Sequence, residues 1–288
     1  MAMRLSVGFI MKARINKIIP FSNVDGPGNR MAIFFQECPF SCLYCHNPET
    51  INECINCGKC VSYCQSEALS IVNGKVIWDE KICVNCDTCI KVCPNMSSPK
   101  TKLYSIDDIV KMLKDVKPFI RGVTVSGGEC MNYASFILDL FKEAKKLNLS
   151  CLIDSNGYYD FENYPDLLAI CDGVMLDVKA FDKEFHRLVT KNDNNIVLKN
   201  LRFLLESNKL YEVRTVILPG FALENQKTVE EVSRIIGSKT RYKLIKYRPF
   251  GVRDEGIKMF GNKIVSDDYI AKVVEIAKKN GCNTTITI

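Results

Sequence analysis

The sequence is poor in histidine, and it has neither a long apolar segment nor a block of basic residues. Only His46 and His186 are histidines among its 288 residues, which excludes a metal site built mainly from imidazole. The apolar run from Leu5 to Met11 is too short for a signal peptide, and a membrane-spanning helix needs about 20 apolar residues. The net charge is +6, yet lysine and arginine form no cluster typical of a nucleic-acid-binding face. We therefore expect a cytoplasmic protein without nucleic-acid or membrane partners, and we interpret Met1 to Met11 as a strand or as the product of an early start codon.

Cysteine, by contrast, is abundant. The chain has 15 cysteines, and eleven of them fall between Cys38 and Cys93. Disulfide bonds are not expected for a cytosolic chain, because the cytosol keeps thiols reduced. Such dense clustering indicates metal binding.

The first cysteines are Cys38, Cys42 and Cys45, with the spacing C-x3-C-x2-C. A [4Fe–4S] cluster is usually held by four thiolates. A set of three leaves one iron without a protein ligand, and an open coordination position is where a metal carries out chemistry. The spacing therefore predicts a catalytic cluster.

Two later cysteine runs share a second spacing, C-x2-C-x2-C-x3-C, which is that of bacterial two-cluster ferredoxins. In those proteins the fourth cysteine of each run binds the other cluster. The predicted ligand sets are Cys54, Cys57, Cys60 and Cys93 for one cluster, and Cys83, Cys86, Cys89 and Cys64 for the other. Zinc sites or unrelated thiols are the alternatives, but the identical spacing and the scarcity of histidine argue against them. Residues 50–99 are thus predicted to form an inserted ferredoxin-like domain with two [4Fe–4S] clusters, ordered largely by metal binding.

The rest of the chain alternates between predicted strands and helices. Six strands are predicted: Met31–Phe35, Gly122–Ser126, Cys151–Asp154, Val174–Val178, Tyr211–Leu218 and Tyr242–Tyr247, with a further one at Asn283–Ile288. Ser105 and Thr228 each open a predicted helix with a capping-box pattern. Such alternation indicates an α/β fold with a parallel sheet. Because the remaining length is short for the about 250 residues of a full barrel, residues 1–49 and 100–288 are predicted to form a partial (β/α)6 barrel of the TIM type.

Several short motifs resemble those of known enzymes. The three-cysteine spacing and the run Ser126-Gly127-Gly128-Glu129 resemble the radical S-adenosylmethionine (radical SAM) superfamily. Three more motifs resemble its glycyl-radical enzyme activating enzymes, and the chain from about residue 15 to 280 looks most like the YjjW group of these activases. These three motifs are Asp25-Gly26-Pro27-Gly28-Asn29-Arg30, Asp154-Ser155-Asn156-Gly157 and Asp177-Val178-Lys179.

This resemblance implies particular ligands for particular residues. Contacts to SAM or the cluster are implied for Tyr44, Ser126, Gly127, Gly128, Glu129, Asp154, Asp177, Lys179 and Arg214. A monovalent cation against the SAM carboxylate would be bound by Asp154, Ser155, the Met175 carbonyl and Asp177. Asp25 would contact the glycine-bearing loop of a partner protein. Arg248 stands where many of these enzymes have histidine, so no contact is assigned to it.

Structural alternatives exist for each of these motifs. Asp25 to Gly28 has the composition of an ordinary turn, and Gly127-Gly128 has that of a turn after a strand. Asp177 and Lys179 could be a surface ion pair. Arg214 could form a structural ion pair with an acidic neighbour.

The reaction implied by the resemblance is radical formation on another protein. A reduced cluster cleaves SAM to a 5′-deoxyadenosyl radical, which takes hydrogen from a glycine of a partner glycyl-radical enzyme. A flavodoxin or ferredoxin would donate the electron, and the insert would relay electrons or dock the partner. Two other functions stay open: a radical SAM enzyme acting on a small molecule or peptide, and an electron-transfer protein with three clusters.

Overall fold

A computed structural model describes residues 11–282 and 285–287. The segment preceding Met11, for which we predicted a strand, lies outside the described residues, as do Asn283, Thr284 and Ile288. The strands are β1 Lys12–Ser22, β2 Arg30–Phe35, β3 Leu69–Val72, β4 Lys75–Trp78, β5 Lys102–Ser105, β6 Gly122–Gly127, β7 Ser150–Ser155, β8 Gly173–Asp177, β9 Leu210–Ile217, β10 Arg241–Lys246 and β11 Thr285–Thr287. The α-helices are α1 Thr88–Lys91, α2 Ile106–Val116, α3 Ala134–Lys146, α4 Pro165–Ile170, α5 Lys183–Thr190, α6 Asn195–Glu206, α7 Ala222–Ile236, α8 Asp254–Phe260 and α9 Asp267–Lys279.

One large sheet organises the chain, with the strand order β11-β10-β9-β8-β7-β6-β2-β1-β5. Strands β2 and β6 to β11 run parallel to one another. This confirms the α/β class and all six predicted strands, and β11 confirms the predicted final strand over Thr285–Thr287. None of the described helices is long and apolar enough to cross a membrane.

The antiparallel edge of the sheet was not predicted. Strand β1 pairs antiparallel with β2 on one side and with β5 on the other. Its buried apolar positions are few, and Ala13 and Ile15 alternate with polar or charged residues. After the inserted segment, the chain forms strand β5 and then enters helix α2.

The two predicted capping boxes had different outcomes. Ser105 and Asp108 form a reciprocal capping box at the start of α2, as predicted. The second prediction was wrong, because α7 begins at Ala222 and Thr228 lies inside it. The hydroxyl of Thr228 accepts the backbone N–H of Phe181 at 3.0 Å, so it fastens the β8–α5 connection to the middle of a helix.

The two faces of the parallel strands are used differently. Side chains alternate between faces along a strand, and Val123, Val125 and Ile153 pack with the helices in the main apolar core. The opposite face carries polar and charged side chains near the ends of the strands, among them Thr124 and Asp154. The chemistry of the chain is therefore concentrated on the face that the helices do not cover.

A fully buried arginine fixes the loop ahead of β2. The Arg30 guanidinium donates to Thr124 Oγ1 at 2.7 Å, to the Val123 carbonyl at 2.8 Å and to the Ser150 carbonyl at 2.9 Å. Thr124 in turn donates to the Asp25 carbonyl at 2.6 Å. Gly26 has φ +120, and a Cβ there would lie 2.9 Å from Leu152 Cδ1. The loop is thus a packed and anchored element rather than a free turn.

We expect Arg30→Met to lower the stability of the fold by about 3 kcal/mol, because it leaves buried carbonyls and a buried hydroxyl without donors. The measurement is urea unfolding of the holoprotein, followed by circular dichroism under anaerobic conditions. Arg202→Met, on the exposed side of α6, is the control and should leave the midpoint nearly unchanged. Equal midpoints for the two variants would contradict an anchoring role for Arg30.

Candidate functional site

The three-cysteine loop follows β2 directly, at the carboxyl end of the parallel strands. Cys42 is buried, whereas Cys38 and Cys45 are half-buried. The backbone N–H of Ser41 donates to the Thr190 carbonyl at 3.0 Å, and that of Leu43 donates to the Val189 carbonyl at 2.8 Å. The last carbonyls of a helix have no partner within the helix, and here the end of α5 uses two of them to hold the cysteine loop.

Behind this attachment lies a buried histidine that sequence reasoning did not assign. His186 Nδ1 lies 2.9 Å from the Asn192 carbonyl, and its ring packs edge-on against Phe40 at 5.5 Å. Asn192 Nδ2 donates to the Pro39 carbonyl at 2.9 Å. Burial lowers the pKa of His186 to about 4, so the imidazole is neutral. It contacts the cysteine loop through Phe40.

Within residues 11–282 and 285–287, no three His, Cys, Asp or Glu side chains converge tightly enough to hold a single metal ion. A [4Fe–4S] cluster does not require that geometry, because each of its thiolate ligands binds a different iron. The lack of a single-ion site among the described residues therefore does not bear on a cluster held by Cys38, Cys42 and Cys45.

The glycine pair at the end of β6, Gly127 and Gly128, is required by close backbone contacts. Gly127 has φ +122, and a Cβ there would lie 2.2 Å from the Phe35 nitrogen. A Cβ on Gly128 would lie 2.2 Å from the Glu37 carbonyl oxygen. The two glycines therefore let the β6 loop press against the backbone that leads into Cys38.

Glu129 ties the ends of β6 and β7 together. Its buried carboxylate accepts from Ser155 Oγ at 2.9 Å, from the Asn156 N–H at 2.8 Å and from the Met131 N–H at 3.1 Å. Burial raises the pKa of Glu129 to about 7. The Ser155 hydroxyl, which we predicted as a cation ligand, thus faces Glu129, and it also accepts the Gly157 N–H at 3.0 Å.

A mostly buried charged group lies at the ends of β7, β8 and β9. Asp154 Oδ2 accepts from Ser126 Oγ and from the Arg214 guanidinium, both at 2.9 Å. Arg214 also donates to Glu212 Oε1 at 2.8 Å and contacts Met175 Sδ at 3.0 Å. Burial raises the pKa of Asp154, and the nearby Arg214 opposes that rise. The ion pair that we considered as an alternative for Arg214 is present, and it joins two predicted cation-site residues, Asp154 and Met175.

Asp177 and Lys179 form a second ion pair with 2.9 Å between Oδ2 and Nζ. The Lys179 side chain is only 14% exposed and that of Asp177 30%, so this is not the surface pair considered as an alternative. The ammonium lies 5.8 Å from the centre of the Tyr44 ring. The Tyr44 hydroxyl is buried and has no hydrogen-bond partner in the described part of the chain, which leaves a polar group ready for a ligand.

Two further residues touch the cysteine loop. Asn156 Nδ2 donates to Cys38 Sγ at 3.4 Å. Arg253 donates to the Cys42 carbonyl at 3.3 Å and contacts Met96 Sδ at 2.6 Å, so it links the loop to the inserted segment. Arg253 follows β10 by several residues and belongs to no spacing pattern, and only its place in the fold reveals it.

The predicted insert contains two cysteine-lined pockets, each with a volume of about 300 Å³ that includes solvent at its mouth. The first is lined by Cys54, Cys57, Cys60 and Cys93. The second is lined by Cys64, Cys83, Cys86 and Cys89. The antiparallel hairpin β3–β4 packs beside both through a small core that includes Leu69. Each pocket is lined by the four cysteines that the crossed pattern assigns to one cluster, and their role as iron ligands stays a prediction.

Asp25 lies close enough to the end of β7 for its charge to raise the pKa of Asp154. It belongs to the loop that precedes β2, and its carboxylate accepts from Ser22 Oγ at 2.5 Å.

Arg248 contributes its carbonyl oxygen to the site region and accepts from His46 Nε2 at 2.9 Å. This contact fixes the imidazole next to Cys45.

Because His186 is neutral in the folded protein, we expect the free energy of unfolding to fall at acidic pH. Because the folded pKa of about 4 lies below the ordinary value of 6.5, the contribution to stability is complete above pH 6.5 and is lost as the pH falls toward 4. We expect a loss of about 3 kcal/mol over that range. Urea unfolding at several pH values should show this loss, and in His186→Gln the total change in the free energy of unfolding between pH 6.5 and 4 should be smaller by about 3 kcal/mol. An equal change in the two proteins would contradict the assignment.

Comparisons with known proteins agree with this geometry. Residues 32–234 match the family model described as the radical SAM superfamily. The chain is 31% identical to a candidate glycyl-radical enzyme activating enzyme from Haemophilus influenzae, over 95% of this chain and 96% of that protein. It is 33% identical to the trans-4-hydroxy-L-proline dehydratase activating enzyme of Clostridioides difficile, over 74% and 75%. It is 26% identical to the pyruvate formate-lyase 1-activating enzyme of Escherichia coli K12, over 93% and 96%.

Solved structures support the same fold. QueE from Escherichia coli superposes with a TM-score of 0.51 at 14% identity, covering 96% of this chain and 94% of that chain. SuiB from Streptococcus suis, bound to S-adenosylmethionine, gives a TM-score of 0.56 at 14% identity over 88% and 48%. With this fold, the family match and relatives above 30% identity, the chain belongs to the radical SAM superfamily and, within it, to the glycyl-radical enzyme activating enzymes.

Proposed function

We propose that this enzyme binds a [4Fe–4S] cluster on Cys38, Cys42 and Cys45 together with SAM, and activates a partner glycyl-radical enzyme by removing a hydrogen atom from one of its glycines. The observation that carries the proposal is the place of the three-cysteine loop. It lies at the carboxyl end of β2, beside the ends of β6, β7 and β8, where the active sites of α/β barrels are built.

The residues around the loop fit these two groups. Asn156 Nδ2 already donates to Cys38 Sγ, as expected for a cluster ligand whose negative charge needs stabilising. The unpartnered Tyr44 hydroxyl and the half-buried Lys179–Asp177 pair supply polar groups beside the loop. A buried donor without a partner costs about 1–3 kcal/mol, so a bound polar ligand would recover that energy.

When bound, the cluster supplies one electron and SAM supplies the sulfonium, whose cleavage yields methionine and the 5′-deoxyadenosyl radical. The chain positions and shields these groups. Lys179 and Arg214 would pair with the SAM carboxylate, and the backbone of Ser126 to Glu129 would meet its amino group. Asp154, Ser155, Asp177 and the Met175 carbonyl would bind a monovalent cation, for which Arg214 must release Asp154.

Aromatic side chains around the loop would exclude water from the reactive centre. Tyr44 packs edge-on against Phe260 at 5.9 Å, and Phe40 packs against Tyr158 at 5.8 Å. Phe40 and Tyr44 are almost fully buried. A radical needs such protection, because an unguarded one would react with the nearest available hydrogen donor.

The insert, residues 50–99, would hold two more [4Fe–4S] clusters and relay electrons from a flavodoxin or ferredoxin. The two cysteine-lined pockets support this, and the contact from Met96 through Arg253 to the Cys42 carbonyl connects the insert to the catalytic loop. Residues 1–49 and 100–288 would then form a partial (β/α)6 barrel. The reduced cysteines and the oxygen sensitivity of such clusters suit the cytoplasm of an anaerobic cell.

The partner protein would approach over the loop ahead of β2. Val24 is 72% exposed beside Asp25, and the exposed rings of Phe21 and Phe119 stack edge-on at 6.1 Å. An apolar surface next to a carboxylate suits an extended glycine-bearing loop, whose backbone N–H groups need acceptors. Asp25 would bind that loop.

The activating reaction is tested by incubating the reduced holoenzyme with SAM and a candidate glycyl-radical enzyme under argon. We expect a glycyl doublet in the EPR spectrum. Asp25→Ala should lower the yield of this radical by about tenfold to a hundredfold, the effect of losing one hydrogen bond to a charged group, while SAM cleavage without a partner continues. Ser22→Ala removes the hydroxyl that donates to Asp25 and accepts the Val24 N–H but keeps the Asp25 carboxylate; it is the matched control and should retain the doublet. Deoxyadenosine without any doublet would contradict the activating function.

The cluster assignment is tested by Cys42→Ala. This variant should lose SAM cleavage and retain about eight of about twelve irons, because only the three-cysteine cluster is lost. Cys171→Ala, a buried cysteine outside all three sets, should retain both the iron and the activity. Activity of the Cys42 variant would disprove the central assignment.

A further inference from the structure

The two pockets of the insert have the same cysteine spacing but different polar surroundings. Strand β4 contributes one side chain to each pocket, Val76 to the first and Trp78 to the second. Residues two apart on a strand share a face, so a single face of β4 serves both pockets. It offers the first pocket methyl groups only, whereas it offers the second an indole.

The indole nitrogen of Trp78 has no acceptor. Trp78 Nε1 is buried and lacks a hydrogen-bond partner among the described residues. The ring is held in place by the Lys102 ammonium, which lies 5.1 Å from its centre, and by pairing of its strand with β3. A buried N–H without an acceptor costs about 1–3 kcal/mol. The polar groups that line the same pocket include four cysteine sulfurs, which are hydrogen-bond acceptors when they bind iron.

The two pockets also differ in the other hydrogen-bond donors and positive charges near their cysteine sulfurs. In the second, Thr88 Oγ1 donates to Cys86 Sγ at 3.4 Å, and the Lys100 side chain is only 13% exposed beside Asp87, to which it is bonded at 2.7 Å. Lys59 occupies the position equivalent to Thr88 in the first run; it lines the first pocket, but its side chain is exposed to solvent rather than shielded. In the first pocket, Ser97 Oγ lies 3.4 Å from Cys93 Sγ. The second pocket therefore has an indole N–H and a shielded ammonium for which the first has no equivalent.

We propose that the Trp78 N–H donates a hydrogen bond to a sulfur of the cluster bound by Cys64, Cys83, Cys86 and Cys89, and that this bond raises the reduction potential of that cluster above that of its neighbour. Reduction adds one electron and makes the cluster more negative by one charge. Hydrogen bonds to sulfur and nearby positive charge stabilise the reduced form and raise the potential. Asp87 offsets part of the charge of Lys100, so the indole is the larger difference. The inference rests on the proposed function, since it requires that both pockets hold clusters.

The order of the clusters gives this difference a role. Cys93 of the first set is three residues from Met96, which contacts Arg253 and through it the catalytic loop. On the strength of this connection, the proposal places the second cluster further from the catalytic loop, as the outer one. With the higher potential, it is reduced first by the external donor and holds an electron in reserve for the inner cluster.

Trp78 is the only tryptophan of the chain, which allows a direct test. Full-length protein labelled with 15N-tryptophan is reconstituted anaerobically and reduced with dithionite, and pulsed EPR is used to detect coupling of the indole nitrogen to a reduced cluster. We expect one 15N coupling. In Trp78→Phe, which keeps the ring and removes the N–H, potentiometric EPR should show one auxiliary midpoint shifted to a more negative value and the other unchanged. Val76→Ile, on the same face of β4, should shift neither.

Iron analysis separates the two ways in which the inference can fail. About four irons in the wild-type protein would overturn the two-cluster insert and this inference with it. About twelve irons, no 15N coupling and unshifted midpoints in Trp78→Phe would overturn only the role of Trp78. If Trp78→Phe lost the outer cluster, the 15N coupling in the wild-type protein would still show whether the indole lies against that cluster. Lys100→Met leaves the hairpin intact, and it should shift the midpoint of the outer cluster alone to a more negative value.

Discussion

The ion pair between Asp154 and Arg214 is the interaction on which the geometry of the site depends. Through it, Ser126 at the end of β6 is joined to Glu212 on β9 across the two strands between them. Both charges are mostly buried, so each would be costly to leave without the other. Four strand ends are thereby held at fixed relative positions before any ligand is present. SAM binding, as proposed, uses this preformed arrangement and exchanges one partner of Arg214 for another.

The catalytic loop is held by a different kind of interaction. The three cysteines that we propose as cluster ligands lie in a loop outside regular secondary structure, where their sulfurs could converge on one cluster. The free carbonyls at the end of α5 accept the N–H groups of Ser41 and Leu43, and Glu37 and Phe35 receive the glycine-rich turn from the other side. The loop is thus fixed by backbone groups of neighbouring elements, and its side chains are left for the cluster and its ligands.

Most of the scaffold could be predicted from the sequence because its signals are local. Buried strands such as β8 are short apolar runs, and the box at Ser105 is complete within four residues. Cysteine spacing predicted two groups of four cysteines, and each group lines one pocket of the folded insert; that they bind iron stays a prediction. Strand β1 was not predicted because charged residues interrupt its apolar pattern. The helix start predicted at Thr228 was wrong because a capping-box sequence inside a helix looks the same as one at a helix start. Arg253 and His186 act across long sequence separations, and no local pattern records such contacts. The assignments of individual residues to SAM and to the cation remain predictions.

The hairpin of the insert has a mechanical consequence. Its turn places Asn73 and Gly74 at positive φ, as in the tight two-residue turns that set strand register. A shift of one residue in that register would reverse the faces of β4, and it would withdraw Val76 and Trp78 from their pockets at the same moment. The two halves of the insert are consequently a single unit of assembly. A shortened form without strand β4 would lose a wall of both cysteine-lined pockets at once.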